Sequence, residues 1–342
     1  MKHASTKHTS CQPFKSCEKA ELKHAKQYLF GETTEYGLIE KKRSLGYDYY
    51  ESERILRTFD EFCREQFPCE THLTAKIVMR WAEQTGTEQN LFRLNRVSVI
   101  RELARHMNSV GCQAYILPLD FTKKTGRHIP YIFSYEELAR LFREIDSCAP
   151  SLNAPTRHLV VSVIFRMIYC CGLRPVEARR LRREDVSLRD GVVKILESKG
   201  HKDRIVVLSE SMLALCVTYD QRADTIYPDR KYFFQSPSAR GDGMYSMEWM
   251  IPTFRRFLHS AGIFGYAGVT PRTYDLRHSF ATHRLYQWIK EGKDVNACLA
   301  YLSEYMGHAN LSDTAYYIHL LPTLYTDFPE LHLDTLQTEV RS

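Results

Sequence analysis

The segment from Pro118 to Pro130 constrains the fold most, because it interrupts a chain whose apolar residues otherwise recur mostly at helical spacing. It contains two prolines, a glycine and few apolar side chains. It also carries basic residues able to contact DNA, namely Lys123, Lys124 and Arg127. This composition is typical of a solvated linker between domains. We therefore predict two domains joined by a basic linker over residues 118–132.

The residues before the linker have the pattern of a small helical domain. From Ser52 to Phe67, apolar residues recur at helical spacing with charged residues between them. Thr74 suits the N-cap of a second helix, and Gly111 suits the end of a third. We predict a helical domain over residues 45–117, preceded by an N-terminal extension of residues 1–44 to which the sequence assigns no role.

The residues after the linker predict further helices and one small antiparallel hairpin. Ser134 followed by Glu137 forms the sequence signature of a capping box. A buried helix is expected from about Thr156 to Cys171. Two β-branched runs, Gly191–Leu196 and Arg204–Leu208, flank a glycine-containing turn, which is typical of a hairpin. The predicted fold class is therefore mainly α with a small antiparallel sheet, an α+β second domain.

Composition narrows the class of protein. Of the 342 residues, 44% are hydrophobic and 26% charged, as in ordered globular proteins. The formal net charge of +6 suits a nucleic-acid partner without requiring one. The ten cysteines include no Cys-x-x-Cys pair, which argues against a disulfide framework and a structural zinc site. No apolar stretch approaches about 18 residues, so we expect a cytoplasmic protein.

Arg174 is the first of four candidate catalytic positions. It precedes Pro175, which suits the first position of a helix, so its guanidinium could bind two phosphate oxygens at a helix N-terminus. A surface arginine that caps a helix is the alternative. Glu177, one turn later, could orient this arginine. Arg179 and Arg182 are better suited to nonspecific contacts with DNA phosphates.

The second candidate, Lys199, lies in the turn of the predicted hairpin. Its ammonium could reach over a neighbouring active site and donate a proton to a leaving alkoxide. Lys202 competes for this role within the same turn. For either residue, a solvated turn lysine is the alternative.

The third candidate position is a helix predicted to begin with Thr270 as N-cap and Pro271 at N1. Tyr274 and Arg277 are three residues apart and would share one face of this helix. Arg277 is therefore a second candidate for binding phosphate.

The fourth candidate position combines His308, in the turn after Gly307, with a helix predicted to begin at Ser312. This helix would bear Tyr316 and Tyr317. A phenol has a pKa near 10 and is a poor nucleophile unless cations stabilise its oxyanion. Adjacent helical residues point about 100° apart, so only one tyrosine can face the arginines.

In this order, the four positions resemble those of the tyrosine recombinases, the phage integrase and Xer-type family. The shared pattern includes Asp275-Leu276-Arg277-His278, and Met306-Gly307-His308 followed nine residues later by Tyr317. That spacing favours Tyr317 over Tyr316. The resemblance implies that the helical domain is a SAM-like, core-binding domain for DNA, and that residues 133–320 form a catalytic domain.

The resemblance also implies a role for each residue. Arg174 and Arg277 would clamp the scissile phosphate and stabilise the transition state. Lys199 would protonate the 5′-oxygen leaving group, and His308 would hydrogen-bond the phosphate. Tyr317 would form a 3′-phosphotyrosyl intermediate. No metal or other cofactor is implied.

Tyr274 departs from the family pattern, which usually has histidine three residues before the second arginine. A phenol can hydrogen-bond a phosphate oxygen but accepts a proton poorly. We therefore expect slower or differently tuned chemistry rather than its loss. Glu177 matches the supporting acidic position of the family.

We expect a site-specific DNA recombinase, the integrase or transposase of a mobile element, acting on double-stranded DNA as a homotetramer on paired sites. It would be cytoplasmic and nucleoid-associated, with an accessory DNA-bending protein as a further partner. The apolar tail, residues 321–342, would dock on a neighbouring protomer. The alternatives are a noncatalytic DNA-binding regulator, which would not cleave DNA, and a type IB topoisomerase, which would relax DNA without site preference.

Overall fold

The computed structural model describes residues 35–86, 88–121, 129–196, 203–238, 243–266 and 268–321. Its contacts divide the chain into two compact units, residues 1–127 and residues 128–342. Several predictions lie outside the described residues and concern the first part of the N-terminal extension, the tail after residue 321, Lys123, Lys124, Arg127, Lys199 and Lys202. No helix among the described residues has the length and apolar character needed to cross a lipid bilayer.

The first unit is helical. Its described helices are α1 (Glu35–Ser44), α2 (Tyr50–Gln66), α3 (Ala75–Ala82) and α4 (Asn90–Ser109). Thr74 caps α3 as the sequence predicts, because its hydroxyl accepts the backbone N–H of Ile77. Phe59 of α2 and Leu103 of α4 are fully buried in one core. The α1 helix precedes the expected boundary at residue 45, and Leu38 is buried in that core.

The second unit is mostly helical and contains a small sheet, so the predicted fold class is confirmed. Its elements are α5 (Tyr135–Asp146), α6 (Arg157–Cys170), α7 (Pro175–Arg180), β1 (Val186–Ser187), β2 (Val192–Ile195), β3 (Arg204–Val207), α8 (Glu210–Ile226), α9 (Met247–Ser260), α10 (Asp275–Lys290), α11 (Val295–Met306), α12 (Leu311–Ala315) and a 3-10 turn (Ile318–Leu320). The capping box at Ser134 and Glu137 is present, with both of its hydrogen bonds.

The three strands form one antiparallel sheet in the order β1-β2-β3. Val192 pairs with Val207, and Ile195 pairs with Arg204 at the end of the hairpin nearest its turn. Val193 and Val206 are buried against the helices. This register fixes Arg204 at the first position of β3, where its side chain reaches the candidate site.

Helix α6 organises the second unit because it is apolar on nearly every side. Val160, Ile164 and Met167 are fully buried, and the helix packs against α5, α8 and α10. It ends at Cys170, and Gly172, whose φ of 61° lies in the left-handed region, follows the C-cap Cys171. Gly172 then leads the chain into Arg174 and the N-terminus of α7, as the sequence predicts.

The start of α10 differs from the prediction. The helix begins at Asp275 rather than after Thr270, because the Asp275 carboxylate accepts the backbone N–H of Arg272 and closes a turn before the helix. Arg277 therefore lies in the first turn of α10. Similarly, α12 begins after Asn310 rather than at Ser312.

His283 of α10 is a buried histidine whose ionisation should make the fold sensitive to acid. It is 6% exposed, and its Nδ1 lies 3.0 Å from the Tyr169 hydroxyl. Burial lowers the pKa of His283 to about 4, against a smaller opposing effect of a hydrogen bond with the backbone of Phe133. Because the unfolded chain binds this proton near pH 6.5, the stability contributed by neutral His283 is complete above that pH and is lost as the pH falls towards 4.

We therefore expect His283→Gln to lose less stability than the wild type between pH 7.5 and pH 5. The free energy of unfolding of the wild type should fall by about 2 kcal/mol more than that of the variant, because the pKa of His283 is lower in the folded than in the unfolded chain. Urea unfolding at the two pH values measures it. His259→Gln is a matched control, because His259 is exposed near the end of α9. Equal pH dependence in wild type and His283→Gln would contradict the prediction.

Candidate active site

Glu177 lies at the centre of a cluster of arginines. The Arg174 backbone N–H donates to its Oε2 at 2.8 Å, and Arg174 Nη1 donates to its Oε1 at 2.6 Å. Arg204 adds two parallel hydrogen bonds of 2.9 and 2.6 Å to the two carboxylate oxygens. Arg277 Nη1 lies 3.9 Å from Oε2. One carboxylate therefore contacts arginines from the N-cap of α7, from β3 and from α10.

These arginines keep Glu177 ionised. Burial by itself raises the pKa of this carboxyl, but the hydrogen bonds and charge of Arg204, the Arg174 backbone N–H and the charge of Arg277 lower it to about 2. Its side chain is 7% exposed, so water screens these interactions little. Glu177 can thus hold the guanidinium groups in place at every physiological pH.

Arg277 is fully buried and is held by backbone carbonyls. Its Nη1 donates to the Gly172 carbonyl at 2.5 Å and its Nη2 to the Met306 carbonyl at 2.6 Å. Burial, together with the charge of Arg174, lowers the pKa of Arg277 to about 10, although Glu177 opposes the shift. The group therefore remains a cation at neutral pH. A buried cation of this kind is suited to stabilising negative charge on a bound anion.

The turn after α11 approaches the arginines closely. Arg174 Nη2 donates to the Gly307 carbonyl at 2.7 Å. Gly307 has a φ of 63°, and a Cβ at this position would lie 3.3 Å from Arg204 Nη1 and 3.7 Å from Arg174 Nη1. The left-handed backbone therefore favours glycine, and a Cβ would also press closely on the Arg204 guanidinium. His308 follows directly.

His308 is half-buried, and its Nδ1 lies 2.7 Å from the Thr314 hydroxyl. Burial lowers the pKa of His308 to about 3, and the charges of Arg277, Arg174, His278 and Arg204 add to this effect. The imidazole is therefore neutral at neutral pH. A neutral imidazole can donate one hydrogen bond to an anion while accepting another.

Tyr317 lies against the same cluster. It is 3% exposed, and its hydroxyl lies 2.9 Å from Nδ1 of His278. Its ring centroid is 6.3 Å from that of His308. Tyr316, by contrast, is only half-buried, at the end of α12. The two tyrosines thus occupy different environments.

The structure brings together most of the predicted residues that it describes: Arg174, Glu177, Arg277, His308 and Tyr317. Tyr274 is 37% exposed and packs on the ring of His278 at 5.0 Å. Arg182 is also exposed and pairs with Glu184 at 3.4 Å, whereas Arg179 donates to the backbone carbonyl of Tyr245.

Two site residues were not among the predicted ones, Arg204 and His278. The position of Arg204 in the sequence, at the start of a predicted strand directly after the turn that contains Lys199, is a partial indication that it belongs to the site. His278 follows Arg277 in the chain, but nothing in the sequence indicates that its ring reaches Tyr317.

Comparisons with known proteins agree with this geometry. The model of the phage integrase family matches residues 133–323. The protein y4rE of Sinorhizobium fredii, named an integrase/recombinase, is 33% identical over 286 residues, which cover 82% of this chain and 88% of that protein. This chain belongs to the phage integrase family. Tyrosine recombinase XerA of Thermococcus kodakarensis is 31% identical over 57% of this chain and 60% of its own length.

Solved structures show the same fold for this phage integrase family member. A XerH site-specific recombinase bound to its palindromic difH substrate aligns with a TM-score of 0.58 over 84% of this chain and 80% of that chain, at 21% identity. The predicted family is thus confirmed, and the chain is a site-specific tyrosine recombinase, an enzyme that breaks and rejoins DNA. The noncatalytic regulator and the topoisomerase are not favoured.

Proposed function

We propose that Tyr317 is the nucleophile of this recombinase and that it forms a 3′-phosphotyrosyl bond with the cleaved strand. The observation that carries this proposal is the placement of the Tyr317 hydroxyl in a buried cluster that contains Arg277 and His308. Cations and neutral donors there can stabilise both a phenolate and a phosphorane-like transition state. Storing the energy of the broken bond in the covalent intermediate removes the need for a high-energy cofactor.

The scissile phosphate would bind Arg174 and Arg277 through its non-bridging oxygens. These guanidinium groups are already oriented by Glu177 and by carbonyls of the site, so little reorganisation is needed when the phosphate arrives. We assign the proton of neutral His308 to Nε2, with the Thr314 hydroxyl donating to Nδ1. In that tautomer Nε2 can donate to a phosphate oxygen.

Lys199 would protonate the 5′-oxygen as it leaves, with Lys202 as its rival. Both lie in the segment that joins β2 to β3, and β3 enters the site at Arg204. Tyr274 is partly exposed beside His278 and would hydrogen-bond a phosphate oxygen. Lys123, Lys124, Arg127, Arg179 and Arg182 would contact DNA phosphates outside the site.

We further propose that the enzyme serves a mobile element by integration or excision and acts as a homotetramer on two paired sites. Residues 45–117 and 133–320 would hold each DNA half-site, and residues 321–342 would dock on a neighbouring protomer. An accessory DNA-bending protein and association with the nucleoid belong to the same proposal. The apolar residues of the tail, such as Leu324 and Phe328, support docking. Unchanged tetramer assembly on DNA after truncation at Pro322, measured by analytical ultracentrifugation, would count against it.

The nucleophile is tested by trapping the covalent intermediate. Nicked duplexes that span the junctions of the encoding element with its flanking direct repeats allow the cleaved fragment to diffuse away, so the adduct accumulates. We expect a protein–DNA adduct that resists SDS. After digestion with nuclease and protease, fragmentation of the modified peptide in the mass spectrometer should place the remaining nucleotide on Tyr317. A nucleotide on Tyr316, or binding to the duplex without any adduct, would contradict the proposal.

A further inference from the structure

We propose that His278 is the general base that removes the phenol proton of Tyr317. This inference rests on the proposed function, since it names the group that activates the nucleophile. Its basis is the distance of 2.9 Å between His278 Nδ1 and the Tyr317 hydroxyl, which is a hydrogen-bond distance. His278 therefore contacts the reacting oxygen directly.

Tyr274 is poorly suited to this role. Its phenol is itself a proton donor and a weak acceptor. The ring packs on the ring of His278, with centroids 5.0 Å apart, and is 37% exposed. Tyr274 thus occupies the usual histidine position of the family, and the imidazole that contacts the Tyr317 hydroxyl belongs to its neighbour, His278.

His308 is also poorly suited to accept the proton. Its Nδ1 is hydrogen-bonded to the Thr314 hydroxyl. Burial and the neighbouring cations lower the pKa of His308 to about 3, so it is a weak base in this site. Its expected contribution is to donate a hydrogen bond to the phosphate, which leaves proton removal to His278.

The helical backbone of α10 fixes the main chain of His278. The His278 backbone N–H donates to the Tyr274 carbonyl at 3.3 Å, and its carbonyl accepts the Thr282 hydroxyl at 3.0 Å. The residue before it is Arg277, whose guanidinium is fixed by two carbonyls. The same helical turn therefore positions one phosphate ligand and the proposed base.

The proton of the Tyr317 hydroxyl moves to His278 Nδ1, because we assign the proton of the neutral imidazole to Nε2. The phenol oxygen uses its electron pair to form a bond to phosphorus, and the bond from phosphorus to the 5′-oxygen breaks. The 5′-oxygen leaves with that pair and takes a proton from Lys199. Rejoining reverses every transfer, so His278 returns the proton to Tyr317.

This assignment links activation to DNA binding. Protonated His278 would add a positive charge beside Arg277, the residue before it, while neutral His308 and the Tyr274 phenol contribute no charge of their own. Like charges disfavour that state in the protein without DNA. The negative charge of the scissile phosphate offsets the repulsion, so Tyr317 would become a phenolate only when the phosphate is bound.

The experiment measures single-turnover adduct formation by the full chain with His278→Asn. Asparagine can still accept a hydrogen bond through its side-chain oxygen but accepts a proton poorly. We expect cleavage to slow by roughly 10²–10⁴-fold, the usual contribution of a general base. His319→Asn is the matched control, because His319 is two residues from Tyr317 but exposed, and it should cleave within about threefold of the wild type. If the melting curve shows that His278→Asn does not fold, His278→Gln is used in its place.

Two chemical changes, one in the DNA and one at position 317 of the protein, distinguish proton removal by His278 from a merely structural role of His278. A duplex with sulfur in place of the scissile 5′-oxygen has a leaving group that needs no proton, so it should restore Lys199→Ala but not His278→Asn. Difluorotyrosine at position 317 is more acidic, so it should recover at least tenfold of the rate lost in His278→Asn. Three results would each overturn the inference. They are rescue of His278→Asn by the sulfur duplex, failure of difluorotyrosine to raise the cleavage rate of His278→Asn, and cleavage by His278→Asn at the wild-type rate.

The wild type distinguishes this inference from the proposed function. If the wild type gives no adduct on Tyr317, the proposed function fails, and the role of His278 fails with it. If the wild type gives that adduct and His278→Asn cleaves equally well, only the general base is wrongly assigned.

Discussion

Tyr317→Phe is expected to reduce the covalent adduct below detection while leaving the fold and DNA binding in place. The substitution removes the attacking oxygen but keeps the ring, which is buried in a core with Ile318 and Leu320. The lost hydrogen bond to His278 should change the free energy of unfolding by about 1 kcal/mol. Adduct formation on nicked duplexes, DNA binding by gel shift and the melting temperature measure the three quantities.

Tyr316→Phe is the matched control for this experiment. It removes the same group from the adjacent residue, whose ring centroid lies 6.3 Å from that of Tyr317. Because Tyr316 is half-buried at the end of α12, we expect adduct formation within about threefold of the wild type. The reverse pattern, with activity lost in Tyr316→Phe and kept in Tyr317→Phe, would show that the nucleophile is wrongly assigned.

The sequence predicts the helices of this protein well where local signals agree. Thr74 caps α3, Ser134 and Glu137 form a capping box, and Gly172 follows the C-cap of α6 in the left-handed conformation. Each of these signals acts within a few residues, through backbone geometry or a side-chain cap. Helix α10 begins later than the Thr-Pro pattern at residue 270 predicts, because the Asp275 carboxylate accepts the backbone N–H of Arg272 and closes a turn before the helix.

The site residues that cannot be predicted from the sequence depend on contacts between residues that are distant in the chain. Arg204 is 27 residues from Glu177, and the hairpin register decides whether the two meet. His278 is 39 residues from Tyr317, and the hydrogen bond between them depends on how α10 packs against the 3-10 turn after Tyr317. Motif order could identify Arg174, Arg277, His308 and Tyr317. It could not show how the side chains are supported.

The support of the arginines leads to the second large effect, expected for Glu177→Gln. Glutamine has nearly the same size but removes the charge that compensates Arg204 and Arg277, whose side chains are 6% and 0% exposed. Removing one partner of a buried ion pair costs about 3–5 kcal/mol, because the remaining charge stays buried. We expect a loss near the lower end, about 3 kcal/mol, since carbonyls also hold Arg277. Cleavage should fall roughly 10²-fold, because Arg174 and Arg277 lose part of their orientation.

Urea unfolding and single-turnover cleavage measure these changes. Glu184→Gln is the matched control, because Glu184 is 73% exposed and makes one 3.4 Å contact with Arg182. It should change the free energy of unfolding by less than about 0.5 kcal/mol. A double-mutant cycle of Glu177→Gln with Arg204→Met should show coupling of about 2 kcal/mol, because removing both charges leaves fewer uncompensated groups than removing the carboxylate alone.

The pH dependence of the stability difference between the wild type and Glu177→Gln tests whether this difference is electrostatic. The pKa of Glu177 is about 2 in the folded protein and 4.5 ordinarily, so its ionised form contributes stability above pH 4.5 that is lost as the pH falls towards 2. The advantage of the wild type over Glu177→Gln should therefore shrink by about 2 kcal/mol between pH 7 and pH 3. A difference that stays constant over this range would mean that Glu177 stabilises the fold by packing. The arginines would then owe their positions to the carbonyls of Gly172, Met306 and Gly307.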